Sequence, residues 1–505
     1  MTEFRSILWT GEDLVRDLGL DPSQLKGKRP VVVESVEVDS FRCGPGALYV
    51  PRTREFDLPD PDQNTEIYKA LFRGAAAALT DEVLDGFPSH APILTVPDRR
   101  AALLRLAECG RARLAGSMVA VTGSMGKTTT KDMLGQVLSF FGPTVRGWRN
   151  YNGINGIPAT LSSIPHGCAH AVVEVAATHP DTVDYKLDHI NPDLGILTTI
   201  TQAHQGNYPS RYDIFREKSK VLAALPSGGP ALVGGVAVEM DEAGDRLLKR
   251  MGVQTHVVGG NPGDFVRLAD YEVTARATRA EIEVAGRLHR VEIPQPGAAY
   301  AWGAAFTLGA LAVLGHDPDA AIPYLAAFQH PFTQRGARWR VNVRGKGTFV
   351  EVIDDSQNAT PDSIASLLET LQKRAPKRLV LVLADMAELG DKAPDLHMAL
   401  APALRSAGVA ALITVGPMTG ALATSLAADI EVHSYDDAET AAAALPKLVR
   451  AGDLIALKGA GAAGLMRLRL RLAPPVNQVP VTSDWLIEDG VPGRQPPWPT
   501  KGEMA

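Results

Sequence analysis

The run VAVTGSMGKTTTK, residues 119–131, constrains this chain more than any other stretch. Val119 to Val121 read as the end of a buried parallel strand, Gly123 to Gly126 as a sharp turn, and Thr129 to Phe141 as a helix. A glycine-rich turn between strand and helix aims several backbone N–H groups at one point. The positive end of the helix faces the same point, so the arrangement suits a polyphosphate. Lys127 is placed to reach the outer phosphates, and the Thr128 hydroxyl to bind Mg²⁺. The glycines stand closer together than in the common G-x-x-x-x-G-K-[ST] loop. Alone, the loop specifies nucleoside triphosphate binding and no more.

A chain of 505 residues has room for two to four domains with ample core. Its net charge of −6 gives no general attraction to nucleic acid or to an anionic membrane. Cys43, Cys109 and Cys168 show neither a disulfide framework nor zinc-ligand spacing. No run of about 18 apolar residues and no signal-peptide pattern stands out, so a cytoplasmic location is the default expectation, and it fits a need for ATP; monomer is the default for an architecture of this kind.

The expected fold class is α/β with three domains. A central P-loop domain built on a parallel sheet (114–332) is flanked by a small N-terminal α/β domain (1–113) and a C-terminal Rossmann-like doubly wound domain (333–475). Residues 476–505 form an extension rich in proline and polar residues. In the first domain Glu12–Leu18 and Thr65–Ala78 read as helices, and segments at 30–38 and 47–51 as strands. In the second, Glu174 lies inside the apolar run Ala171–Ala176, where a carboxylate is costly unless it is paired or binds metal. The strand Leu194–Ile200 runs out at His204. Strand ends are where parallel sheets gather functional groups, so His204 is a candidate ligand. Lys218 and Lys220 fall on a helix from Tyr212 to Leu225, where lysines ordinarily face solvent. In the third domain, strands ending at Asp354–Ser356, Asp385–Met386, Gly416 and Gly459 alternate with helices.

Taken together these residues resemble the Mur ligase family, and within it the D-alanyl-D-alanine-adding branch. The resemblance runs from about Val36 to Lys458. It rests on the loop at 122–130, on Asn150-Tyr-Asn152 with Gly156-Ile-Pro158, and on Gly336-Ala-Arg338. It rests further on DDSQNATPDS at 354–363 and on LADMAELG at 383–390 followed by His397.

The resemblance implies a first domain for a large, usually UDP-linked, carboxylate substrate, a second for ATP, and a third for an incoming amino acid or dipeptide. It implies amide formation through an acyl phosphate, with ADP and phosphate released and Mg²⁺ required. By position, Gly123, Ser124, Gly126, Lys127, Thr128, Thr129 and Asn155 are implied as nucleotide contacts, with Arg338, Asp354 and Asn358 from the third domain. Thr128, Glu174 and His204 are implied as metal ligands. Lys127, His204 and Lys218 are implied as catalytic, Lys218 as a candidate for carbamylation by CO₂.

Departures accompany the match. Met125 stands where a polar residue is usual, and Lys220 where glutamate is usual. Ala299 and Gly303 replace residues near the adenine, and GAGAAG at 459–464 replaces a Gly-Ser-Arg. After Val50 the Gly and Asp-Gly-His pattern of a uridine pocket is missing. Both cell-wall precursor synthesis and a ligase of specialised metabolite or peptide assembly stay open at this point. So do a non-catalytic nucleotide-binding regulator and a folylpolyglutamate-type ligase.

Overall fold

The computed structural model describes residues 7–27, 30–54, 62–87, 90–187, 189–201, 208–235, 241–330, 337–343, 349–465 and 468. His204 and the segment 476–505 lie outside them. The chain divides into two compact units. The first comprises residues 1–332 together with 360–374 and 388–396, and the second takes the remainder.

The first unit holds two larger sheets. Near the N-terminus, strands Ser35–Glu37, Ala47–Tyr49, Ala77–Thr80 and Ile93–Thr95 pair in parallel in that order. One expected element changes type here. The helix over 65–78 instead ends at Phe72, Gly74 turns the chain with φ +91°, and Ala77–Thr80 becomes a fully buried strand. Four alanines in a row look helical by propensity. Between two parallel strands, however, small side chains are what the sheet accommodates, and tertiary context overrides propensity.

The second sheet of this unit has nine strands, and its P-loop strand, Leu114–Thr122, lies inside it. On one side stand Cys168–Glu174 and then Thr144–Arg146. On the other stand Leu194–Leu197, Pro230–Gly234, Gln254–Gly259 and Val266–Val273, all parallel. From Leu114–Thr122 the chain crosses to the edge strand Thr144–Arg146, returns inward to Cys168–Glu174 and then crosses to Leu194–Leu197 on the other side, so the direction of crossover reverses around Leu114–Thr122 and its C-terminal end is the topological switch point, the expected ligand crevice of an open parallel sheet. Two antiparallel strands, Thr278–Val284 and Arg287–Ile293, complete the far edge. Exposed cross-strand pairs decorate them: Arg279–Glu292 and Arg290–Glu281, each at 2.8 Å.

The apolar helix Ala298–Val313 packs between the P-loop helix Lys127–Leu138 and this sheet. Small residues permit the approach: a Cβ on Gly303 would stand 3.3 Å from Thr129 Cγ2, and one on Gly309 would stand 2.6 Å from Val266 Cγ2.

In the second unit, strands Phe349–Asp355, Leu454–Lys458, Leu379–Ala384, Val409–Val415 and Glu431–Tyr435 run parallel in that spatial order. Ala337–Asn342 joins antiparallel at the edge. All six residues of Leu379–Ala384 are buried, as expected of a central parallel strand covered on both faces.

Candidate active site

Three neighbouring strand ends assemble the site. Val121 is level with Glu174 across one ladder, and Thr122 with Leu197 across the other. The loop between Thr122 and Lys127 is laced to the second neighbour. Thr198 Oγ1 donates to Thr122 O (3.2 Å) and Met125 O (2.5 Å), and the Ser124 N–H donates to Thr199 O (2.7 Å). Gly123 has φ +142°, and any Cβ there would stand 2.0 Å from Thr198 Oγ1, so only glycine fits. Gly126, at φ +80°, opens the helix and caps it with no side chain. The first-turn N–H groups of the P-loop helix are thus left to an anion. Ser124 Oγ is buried with no hydrogen-bond partner, as fits a contact that a nucleotide would complete. Lys127 Nζ donates to Gly123 O (2.8 Å) and Ser124 O (3.1 Å), which keeps its ammonium over the loop.

Beside the loop, Glu174 is 2% exposed. Thr128 Oγ1 donates to one of its oxygens at 2.7 Å and Asn152 Nδ2 to the other at 2.8 Å. A hydroxyl and a carboxylate side by side next to a phosphate cradle are the hard oxygen donors Mg²⁺ takes, with phosphate and water completing its shell. Among the described residues no group of three His, Cys, Asp or Glu could hold a metal by itself. By sequence, Asn152 reads as part of a turn. Its direct bond to the buried carboxylate makes it part of the site, and only the spacing of Asn150 and Asn152 hints at it.

Lys218 is fully buried on the helix Arg211–Ala223, and its amine donates to Ala177 O at 3.2 Å. Burial holds this amine well below the ordinary lysine range, and the charges of Lys127 and Lys186 act in the same direction. Lys220, two residues on, faces elsewhere. It bonds Asp184 (2.7 Å), Glu217 (2.8 Å) and Asp181 (3.1 Å). Its burial works against the charge, but these bonds outweigh it and raise the ammonium above its usual range. Lys220 is therefore a structural tie.

Asn155 spends its carboxamide on Thr53. Its Oδ1 accepts from Thr53 N (3.0 Å) and Oγ1 (3.1 Å), and its Nδ2 donates to Thr53 O (3.0 Å). Nearby, Arg42 forms a two-point pair with Glu37 (2.8 and 2.9 Å) and lies 4.0 Å from the Trp148 ring centre, while Tyr151 Oη donates to Glu37 at 3.2 Å. The N-terminal sheet is thereby stitched to the segment that follows the P-loop helix. Thr129 is buried beneath the loop against the Ala298–Val313 helix at Gly303.

In the second unit, Asp354 is fully buried and its Oδ1 accepts from Ser356 N (3.1 Å) and Oγ (2.5 Å). Asn358 Oδ1 accepts from Ala359 N (2.9 Å), and Lys458 Nζ bonds Asp355 (2.6 Å). Arg338 lies on the strand Ala337–Asn342. Met386 N donates to His397 Nε2 at 2.9 Å, which fixes the imidazole proton on Nδ1 when the ring is neutral. A Cβ on Gly459 would stand 2.7 Å from Ala384 Cβ, so packing demands glycine there.

Residues 121–311 match the Mur ligase middle domain, and residues 339–461 match the Mur ligase, glutamate ligase domain. Among curated proteins, the UDP-N-acetylmuramoyl-tripeptide–D-alanyl-D-alanine ligase of Synechocystis is 28% identical over 80% of this chain and 85% of its own length. The Bacillus subtilis protein of the same name is 26% identical over 85% and 90%. Among solved structures, MurF from Acinetobacter baumannii superposes with a TM-score of 0.71 at 22% identity, covering 92% of this chain and 98% of its own. MurF from Thermotoga maritima in complex with ADP gives 0.66 at 23%, covering 87% and 96%. These two share the three-domain α/β fold. With matches in the same order as the sheets they describe, and with the phosphate loop at the sheet's switch point, the chain belongs to the Mur ligase family of ATP-dependent ligases.

Proposed function

We propose that this protein joins D-alanyl-D-alanine to UDP-N-acetylmuramoyl-tripeptide, using MgATP and releasing ADP and phosphate. The observation that carries the reading is the pairing of the Gly123–Thr128 loop with the Thr128–Glu174–Asn152 cluster, which supplies phosphate donors and hard metal ligands at one strand edge. The names of the curated relatives supply the two substrates. Residues 1–113 are assigned to the acid, 114–332 to ATP and 333–475 to the dipeptide, and the cytoplasm, where ATP is found, is the proposed location.

The acid and the triphosphate are both anionic, so positive charge must accompany their approach. The loop amides and Lys127 orient the γ-phosphoryl group, and Thr128 and Glu174 are the residues that would hold Mg²⁺. His204 is proposed as a further ligand, and Arg338, Asp354 and Asn358 as further nucleotide contacts. Mg²⁺, when bound, neutralises charge on the transferred group. The acid's carboxylate attacks the γ-phosphorus and ADP leaves. The dipeptide amine then attacks the acyl carbon, and phosphate leaves.

Lys218 is proposed as a carbamylation site. Burial favours the neutral form of its amine, the form that attacks CO₂, losing a proton and forming an N–C bond. ¹³C-bicarbonate should then give a carbamate resonance in the wild-type protein that Lys218→Met lacks.

The test of function is phosphate release with both substrates present, with the product identified by mass. Turnover needing both the acid and the dipeptide supports the reading, and Lys127→Ala should abolish it. Turnover with another acid or amine and none with this pair would reassign the pathway. ATP binding without turnover on any pair would favour a regulator.

A further inference from the structure

Lys131 ends the run that carries the phosphate loop, yet the nucleotide chemistry above does not use it. Its side chain is fully buried. It lies three residues beyond Thr128 on the helix Lys127–Leu138, so the two stand about one turn apart on the same face. Its Nζ donates to Gly147 O (2.6 Å) and Arg149 O (3.0 Å), and Asp132 Oδ1, its ion-pair partner, is 3.2 Å away. The gripped segment, 147–152, ends at Asn152, whose Nδ2 donates to Glu174. A single helix therefore reaches both oxygens of the Glu174 carboxylate: directly through Thr128, and by way of this segment through Lys131.

We propose that Lys131 is a positioning residue for the metal site. By holding the carbonyls of Gly147 and Arg149 it sets where Asn152 meets Glu174, and so fixes the orientation of that carboxylate beside Thr128. Two observations support this beyond proximity. First, the segment needs holding. Arg149 has φ +42°, and its carbonyl is one of the two that Lys131 grips. Such a left-handed conformation costs a residue other than glycine about 1 kcal/mol or more and persists only when its surroundings enforce it. Backbone bonds secure the ends of the segment: Gly147 N donates to Val172 O (3.0 Å) and Ala176 N to Asn152 O (3.0 Å). Lys131 holds the left-handed bend between them. Second, the choice of side chain is informative. Burying an ammonium is costly, and an apolar chain of similar length would fill the space without that cost. What the amine provides and an apolar chain cannot is two charge-assisted bonds into one short segment. A carboxylate that must accept from two donors and still serve a metal gains from having both donors set by one rigid helix.

The inference rests on the nucleotide site of the ligase reading, and the measurements separate the two. ADP binding is followed by calorimetry with and without Mg²⁺ in wild type, Lys131→Met, Asn152→Ala and the double variant. Mg²⁺ should strengthen ADP binding in wild type. Lys131→Met should lose about fivefold or more of that strengthening, with its metal-free ADP affinity within about twofold of wild type. Because Lys131 acts through Asn152, the double variant should bind no worse than Asn152→Ala. Equal weakening with and without Mg²⁺, or losses that add in the double variant, would overturn the proposal, because Lys131 would then only support the helix. Native-state hydrogen exchange of residues 147–152 needs no ligand. These amides should exchange about tenfold or more faster in Lys131→Met, and unchanged exchange refutes the proposal. If wild type binds no ADP, or binds it no better with Mg²⁺, the nucleotide site of the ligase reading falls by itself, and hydrogen exchange still decides whether Lys131 holds the segment. Should Lys131→Met fail to fold because Asp132 has lost its closest cation, Lys131→Met/Asp132→Asn takes its place, with thermal melting as the check.

Discussion

At the scale of single residues, Lys218 carries a stability cost at a position proposed for carbamylation. In the unfolded chain its amine keeps its proton up to the usual lysine range, whereas burial lowers that range in the native core, so wherever the two differ the unfolded state binds more protons. Native stability therefore rises with pH until the unfolded lysine also loses its proton. Replacing it with methionine, which fills similar space without an amine, should raise the melting temperature near neutral pH and flatten that rise, while activity falls by orders of magnitude. Melting curves across pH 6–10 check the sign. If Lys218→Met melts lower at every pH, the burial cost is not what governs this position. The contrast with Lys220 shows what sequence conveys at this scale. Both lysines fall on one helix two residues apart, and the side-chain pattern gives no means of telling the buried amine from the three-carboxylate tie. Asn152 is hidden for the same reason, because its bond to the buried Glu174 joins residues distant in sequence. The glycines and Lys127 are legible because their chemistry is local to one turn.

At the scale of elements, the P-loop helix is positioned by what it packs on. Gly303 gives the Ala298–Val313 helix its close approach to Thr129, so a larger side chain there must displace the helix that begins the phosphate cradle. Gly303→Leu should raise the KM for ATP by about tenfold or more while costing about 1–3 kcal/mol of stability, read by nucleotide titration and denaturant unfolding. An unchanged ATP KM would mean that the cradle is held by its bonds to Thr198 and Thr199 alone. Most elements are legible because strong period-2 and continuous apolar runs, such as Leu379–Ala384, specify buried strands. The stretch Ala75–Ala78 misleads because alanine's helix propensity, the strongest of any residue, is outweighed by the packing of Ala77–Thr80 between two parallel strands.

At the scale of the whole molecule, the Thr53–Asn155 contact ties the N-terminal sheet, proposed to bind the acid, to the segment beside Glu174, within the same compact unit. Asn155→Ala removes a carboxamide that satisfies both polar backbone groups of Thr53. It should lower stability by about 1–3 kcal/mol and weaken binding of the acid more than that of ATP, a split that calorimetry with each ligand reads directly. Equal loss for both ligands would instead make Asn155 a nucleotide contact. The sheet order itself is not written in the sequence. Strand runs establish that a parallel sheet exists, but which strand lies at the switch point depends on crossovers that leave no local trace.

The far edge of the nine-stranded sheet has a further consequence, for the crowded conditions in which the chain folds. An edge strand is a template for any passing backbone, yet Arg287–Ile293 presents Arg287, Arg290 and Glu292 outward, with Arg290 and Glu292 paired in opposite polarity to its neighbour. Docking a second strand there would strip water from long charged side chains whose partners are already taken, so the edge discourages recruitment while remaining open to solvent. The same side chains that finish the sheet thus act as a safeguard against fibre-like growth during synthesis.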